Sequence, residues 1–168
     1  CGSSHSYVWT GTAGNPMNRD FRDLLAEFNA HNVDYLIVGA HALAAHGHVR
    51  ATKDIDVWVR AEPANARKIL LALKAFGAPL QDLTENDLSQ PGLIFQIGVP
   101  PVRIDVVTSI DGVSFAEAWP ARMRTTFGDQ PVAVLCREHL IQNKRAAGRA
   151  QDLADIDWLE THSRSSND

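Results

Sequence analysis

The sequence predicts an α+β protein: a mixed β-sheet with helices packed on it and a helical segment at the C-terminal end. Three observations carry this. Helix-like and strand-like patterns alternate between residues 19 and 76. Later strand-like runs are separated by tight-turn residues and so pair with their neighbours in sequence. From 137 to 160 the pattern is helical. Local pairing of the later strands argues against a doubly wound parallel sheet.

Residues 19–31 place Phe21, Leu24, Leu25 and Phe28 at helical spacing, which predicts an amphipathic helix. Residues 33–38 form a β-rich run ending at Gly39, read as a buried strand. A short helix over 40–46 follows, with Gly47 as its stop. Residues 53–60 alternate as a strand. Pro63 suits a helix's first turn, and Ala66, Ile69, Leu70, Leu73 and Phe76 give that helix one apolar face. The stretch 79–90 is polar and turn-like, with a short capped helix at 84–87. Residues 93–99 and 102–108 read as an antiparallel pair about Pro100-Pro101. A helical turn is expected at 115–119. A hairpin is expected at 123–127 and 131–135 around Gly128-Asp129, and two helices over 137–160 that break near Gly148.

The chain has 168 residues, enough for one domain with a sizeable core. Residues 17–162 are taken as that domain. Residues 1–16, which begin Cys-Gly-Ser-Ser-His-Ser, read as an expression-tag remnant ahead of Met17, and 163–168 as a flexible tail. A net charge of −4 gives no global attraction to nucleic acid or membrane. No apolar run has the length of a membrane span. Cys1 and Cys136 show no metal-ligand spacing, and a cytoplasmic location is the expectation.

The chemistry concentrates in Lys53-Asp-Ile-Asp-Val-Trp-Val59. Side chains alternate along a strand, so Asp54 and Asp56 share one face while Ile55, Val57 and Val59 point into a core. Two carboxylates on an apolar strand repel each other, and a divalent metal with hard oxygen ligands would relieve this. In Val102-Arg-Ile-Asp-Val106 the same alternation puts Arg103 and Asp105 on one face. If the two strands are neighbours, three carboxylates can hold two ions, which activate an oxygen and clamp a triphosphate. Gly39 lies at a strand-to-helix turn that suits a phosphate. Arg50 can reach a phosphate from the loop before the strand, and Arg103 can neutralise Asp105. Lys144 is either a phosphate contact or a lysine snorkelling from a helix flank. Arg149 with Asp152 is an intrahelical ion pair. Trp58 shares the aspartate face and can border a nucleotide base; Trp119 and Trp158 read as packing residues. His41 and His46 sit about 140° apart on a helix, so they do not converge on one ion.

Gly39-Ala40, thirteen intervening residues, Asp54-Ile-Asp56 and the later Arg103-Ile-Asp105 resemble the DNA polymerase beta nucleotidyltransferase superfamily. The run from Tyr35 to Asp56 is similar to small bacterial nucleotidyltransferases related to AbiEii abortive-infection toxins. Glu138 to Lys144, with Arg149, Asp152 and Asp155, is similar to their closing helices. The resemblance covers about residues 19–160. It implies a nucleotidyltransferase-like fold and transfer of a nucleoside monophosphate from an NTP to an acceptor hydroxyl with Mg²⁺ or Mn²⁺. It implies Asp54, Asp56 and Asp105 as catalytic metal ligands, and Gly39, Ala40, Arg50 and Lys144 on the nucleotide. The implied acceptors are an RNA end, such as tRNA, or a protein side chain, in a setting with a cognate toxin or antitoxin. Ala40 departs from the superfamily's Gly-Gly or Gly-Ser: the backbone N–H remains and a hydroxyl is lost.

Overall fold

The computed structural model describes residues 8–9, 16–49, 54–98 and 103–162. Among them a seven-stranded sheet runs β1 (Val8–Trp9), β6 (Met123–Phe127), β7 (Gln130–Val134), β2 (Tyr35–Val38), β3 (Asp54–Val59), β5 (Arg103–Val107), β4 (Ile94–Ile97). The sheet is mixed. The pairs β2–β3, β4–β5 and β6–β7 are antiparallel, while β3–β5, β2–β7 and β1–β6 are parallel. The α+β architecture and both expected local pairs are therefore observed. Val8–Trp9, set aside with residues 1–16, form a short strand beside β6.

The helices are α1 (Pro16–Ala30), α2 (Gly39–Ala45), α3 (Pro63–Phe76), α4 (Glu85–Leu88), α5 (Phe115–Ala118), α6 (Arg137–Ala147) and α7 (Ala150–Thr161). The expected capping box of α4 is formed by Thr84 and Asp87. One sheet face packs on α1 and α3. The four apolar residues foreseen on α1 are all fully buried, and Phe28 meets Tyr35 at a 5.6 Å ring separation. Asn65 of α3 ties together the neighbouring ends of β2 and β3, bonding Asp34 and Arg60. Ile55, Val57, Val59, Ile104 and Val106 are buried. The other face carries the aspartates and, further along, Trp58 under Phe115 of α5.

Helix α6 is fastened to the segment after β5 by specific contacts, and α7 is tied to α6 by ion pairs. Gln142 Nε2 donates to the Gly112 carbonyl at 2.6 Å and Asn143 Nδ2 to that of Asp111 at 2.9 Å. A Cβ on Gly112 would stand 2.6 Å from the Ala146 methyl, so only glycine lets α6 approach this closely. Among the described residues no helix is long and apolar enough to cross a membrane.

Candidate active site

Strands β3 and β5 are parallel and in register, with Asp54 opposite Arg103 and Asp56 opposite Asp105. Residues directly opposite share a face. The juxtaposition foreseen from alternation is therefore present, with three carboxylates and Arg103 on one surface. Arg103 Nη2 lies 3.5 Å from Asp54 Oδ2, and its Nε lies 3.1 Å from Asp105 Oδ1. Both atoms of the second contact are buried, and among the described residues this ion pair is what meets them. Arg103 thus bridges Asp54 and Asp105 as a counter-charge. Among the described residues, no three Asp, Glu, His or Cys side chains converge closely enough to enclose one ion.

The electrostatics nonetheless fit a divalent cation. Burial pushes the Asp56 carboxyl up to about 6, and the charges of Asp105 and Asp54 add to the rise against Arg103 and Arg149. Burial also raises Asp105 despite Arg103 beside it. The cluster remains under-neutralised by protein cations, and its donors are the hard oxygens that Mg²⁺ and Mn²⁺ prefer.

Val38, the last residue of β2, pairs with Asp56, so the turn into α2 begins next to that carboxylate. Gly39 adopts φ +71°, and a Cβ there would stand 2.5 Å from Asp56 Oδ2. Glycine is required twice, for the left-handed backbone and for the close approach. Among the described residues no side chain caps the head of α2. Ala40 follows directly and has no side-chain hydroxyl. Arg50, Lys53 and Pro100-Pro101 lie outside the described residues.

Lys144 does not snorkel. It is 5% exposed, and its Nζ lies 2.8 Å from Asp155 Oδ2 and 3.4 Å from Asp152 Oδ1. The buried stripe of Leu140 and Ile141 takes the amine inward to two carboxylates on α7. Arg149 closes the network from outside. Its Nε reaches Asp152 Oδ2 at 2.7 Å while the side chain stays 76% exposed. The pair foreseen between Arg149 and Asp152 is present, and Arg149 also acts on Asp56 and Asp111 by charge. On the other flank His48 Nε2 lies 3.8 Å from Asp155 Oδ1 and stacks on Trp158.

Trp58 shares the aspartate face, as expected, yet it is 2% exposed and meets Phe115 edge-on at 5.0 Å. It offers no open ring face to a base. Trp119 packs on Phe115 and Arg122, and Trp158 between His48 and His162. His41 is buried beside Phe21, and His46 Nε2 contacts the Leu135 carbonyl at 2.9 Å, so the histidines diverge. Sequence reasoning missed Gln96, exposed on β4 and opposite Asp105. Pro100-Pro101 in the sequence, read as the connection between two antiparallel strands, was the signal that could have found it.

Several solved structures share this fold. The lincosamide antibiotic adenylyltransferase LnuA, bound to lincomycin, superposes with a TM-score of 0.55 at 14% identity, covering 84% of this chain and 95% of that one. ANT(2″)-Ia in complex with adenylyl-2″-tobramycin gives 0.60 at 17% identity, covering 88% and 89%. An antigenic nucleotidyltransferase-like protein from Paracoccidioides brasiliensis gives 0.52 at 17%, covering 87% and 76%. At these identities the likeness shows the fold. No curated protein matches the chain by sequence. Residues 19–163 match the family described as nucleotidyltransferase of unknown function, DUF6036, and the chain belongs to that family.

Proposed function

We propose that this protein transfers a nucleoside monophosphate from an NTP to an acceptor hydroxyl at the face formed by Asp54, Asp56 and Asp105. The observation that carries the reading is the pairing of Asp56 with Asp105, hard against the Gly39 turn. Asp54, Asp56 and Asp105 are the ligands for Mg²⁺ or Mn²⁺. A bound ion supplies charge neutralisation for the triphosphate and the departing pyrophosphate. Gly39 and Ala40 offer backbone to the phosphates, and Arg50 lies in the loop leading to β3. Asp105, opposite Asp56 on the neighbouring strand, takes the proton from the acceptor hydroxyl. Arg149 is an exposed cation whose charge is felt at Asp56, which supports assigning it to the phosphates. Lys144, the other residue assigned to the nucleotide, serves it through Asp152 and Arg149.

The acceptor is an RNA end or a protein side chain, in a setting with a cognate toxin or antitoxin. The adenylylated tobramycin in one structural neighbour supports a hydroxyl as the receiving group. Calorimetry with each NTP and Mn²⁺ should show binding that Asp56→Asn abolishes, and radiolabelled NTP should release pyrophosphate as label enters the acceptor. No metal-dependent NTP binding would end the proposal. Ala40 favours a second reading, a nucleotide-binding protein without turnover, which predicts binding and no pyrophosphate.

A further inference from the structure

Among the described residues β4 is the last strand of the sheet, and Ile94-Phe95-Gln96-Ile97 carries no charge and no proline. Exposed edges normally carry lysines, prolines or bulges that stop another chain from pairing. This edge has none of them, and Ile94 is 62% exposed.

The hydrogen-bond phase of the β4–β5 pair decides what the edge offers. The Thr108 N–H donates to the Leu93 carbonyl at 3.1 Å. Antiparallel pairs alternate between bonded and non-bonded, so Phe95–Val106 and Ile97–Ile104 are the bonded pairs within β4. The main-chain groups of Ile94 and Gln96 then point away from β5, toward the open edge. The side chains of the same two residues lie on the catalytic face. Gln96 stands in one row with Asp105, Asp56 and Val38; Ile94 stands in the next with Val107 and Trp58.

Resting on the transferase reading above, we propose that the acceptor is an extended polypeptide segment that adds as a strand to the outer edge of β4. Outward N–H and C=O groups at strand spacing match a polypeptide main chain. An RNA strand needs cations along its track, and 94–97 has none. The residue of the incoming strand opposite Gln96 shares its face and enters the row of Asp105 and Asp56. That strand sits two strand spacings from β5, about 9.6 Å. A serine hydroxyl, one bond beyond Cβ, stays over its own strand, whereas a tyrosine phenol spans most of the gap. The phenol oxygen attacks the α-phosphorus of the NTP, an O–P bond forms, the bond to pyrophosphate breaks, and the phenol proton passes to Asp105.

The test uses the full chain, ATP with Mn²⁺, and β-prone decapeptides with one central tyrosine, serine or phenylalanine. The expected result is AMP addition to the tyrosine peptide at least tenfold faster than to the serine peptide, and none to phenylalanine. Gln96→Pro removes an outward donor and leaves the β4–β5 bonds intact. It should reduce labelling at least tenfold with NTP binding unchanged, while Gln96→Ala, which keeps the donor, should retain most of it. Exchange protection of the Ile94 and Gln96 amides on adding peptide reads docking without nucleotide. It therefore separates failure of this proposal from failure of the transferase reading. Absence of that protection overturns the proposal, as does peptide labelling indifferent to Gln96→Pro. RNA labelled in place of peptide also overturns it, and so does a dimer that Gln96→Pro dissociates, which would give the edge to a second copy.

Discussion

At the scale of single residues, Gly39 and Asp56 constrain each other. Gly39→Ala forces a Cβ into a left-handed backbone and to within 2.5 Å of Asp56 Oδ2. Such strain costs about 1–3 kcal/mol, and the displaced carboxylate should weaken Mn²⁺-dependent NTP binding at least tenfold. Urea denaturation and calorimetry together check both effects; full binding by this variant would remove Asp56 from the nucleotide site. The pH dependence follows from two residues of opposite sign. Asp56 has a folded pKa of about 6 against 3.8 unfolded, so without metal its contribution to stability falls as pH rises from 3.8 to 6. His41 is depressed by burial to about 4 from 6.5, so its contribution is lost as pH falls from 6.5 to 4. Shifts of this size are worth on the order of 2–3 kcal/mol each. In metal-free buffer, Asp56→Asn should therefore raise stability at pH 7.5 and steepen the loss on acidification. His41→Leu should reverse the acid limb, so that stability rises from pH 6 to 4. Denaturant titrations from pH 4 to 8 give the profiles, and parallel profiles for the three proteins would show that neither group carries the linkage.

At the scale of elements, α6 and α7 behave as one unit held by a buried charge network and the surface pair of Arg145 with Glu160. Burial pushes the Asp152 carboxyl up, yet hydrogen bonds from Arg149 and the charge of Lys144 bring it below its usual value. Removing one partner of a buried ion pair leaves an uncompensated charge and costs about 3–5 kcal/mol. Lys144→Met leaves Asp152 and Asp155 in that condition, so chemical denaturation should show a loss of this size. Arg149→Ala removes a largely exposed cation and should cost about 1 kcal/mol or less, while NTP affinity falls about tenfold with kcat nearly kept. If both variants lost stability alike and neither changed affinity, Arg149 would be a surface residue with no part at the site. The network was partly legible in the sequence. Lys144 follows Leu140 by four and Ile141 by three, which puts it on the buried stripe. A lone lysine on such a stripe reads as snorkelling until another element supplies the carboxylates, and here α7 supplies them.

At the scale of the whole molecule, local pairings were legible and distant ones were not. The turn-forming residues Pro100-Pro101 and Gly128-Asp129 in the sequence announced two antiparallel pairs, because a tight turn leaves the chain one way to return. The parallel pairing of Ile37 with Val134 joins segments almost a hundred residues apart, and no local pattern encodes it. Alternation put Asp54, Asp56 and Asp105 on strand faces, but only the parallel β3–β5 pair made the faces coincide. The cover over Trp58 was invisible for the same reason, since Phe115 reaches it from another element. The proposed site therefore draws on the β2–α2 turn, β3 and β5, with Arg149 from the distant C-terminal helices. A ligand that needs all of these binds the native state and not the unfolded chain. At a hundredfold excess over Kd such binding adds about 2.7 kcal/mol, which for a chain of this size raises Tm by roughly 5–10 °C. Scanning calorimetry with Mn²⁺ and a bound NTP should show a rise of that size in the native sequence. Mn²⁺ alone should give less, because Arg103 already bridges Asp54 and Asp105 and must be displaced. Asp105→Asn should lose most of the rise, since it removes a negative charge and a ligand oxygen from the cluster. A rise that survives Asp105→Asn undiminished, or that NTP gives equally without a divalent ion, would put the nucleotide elsewhere on the protein.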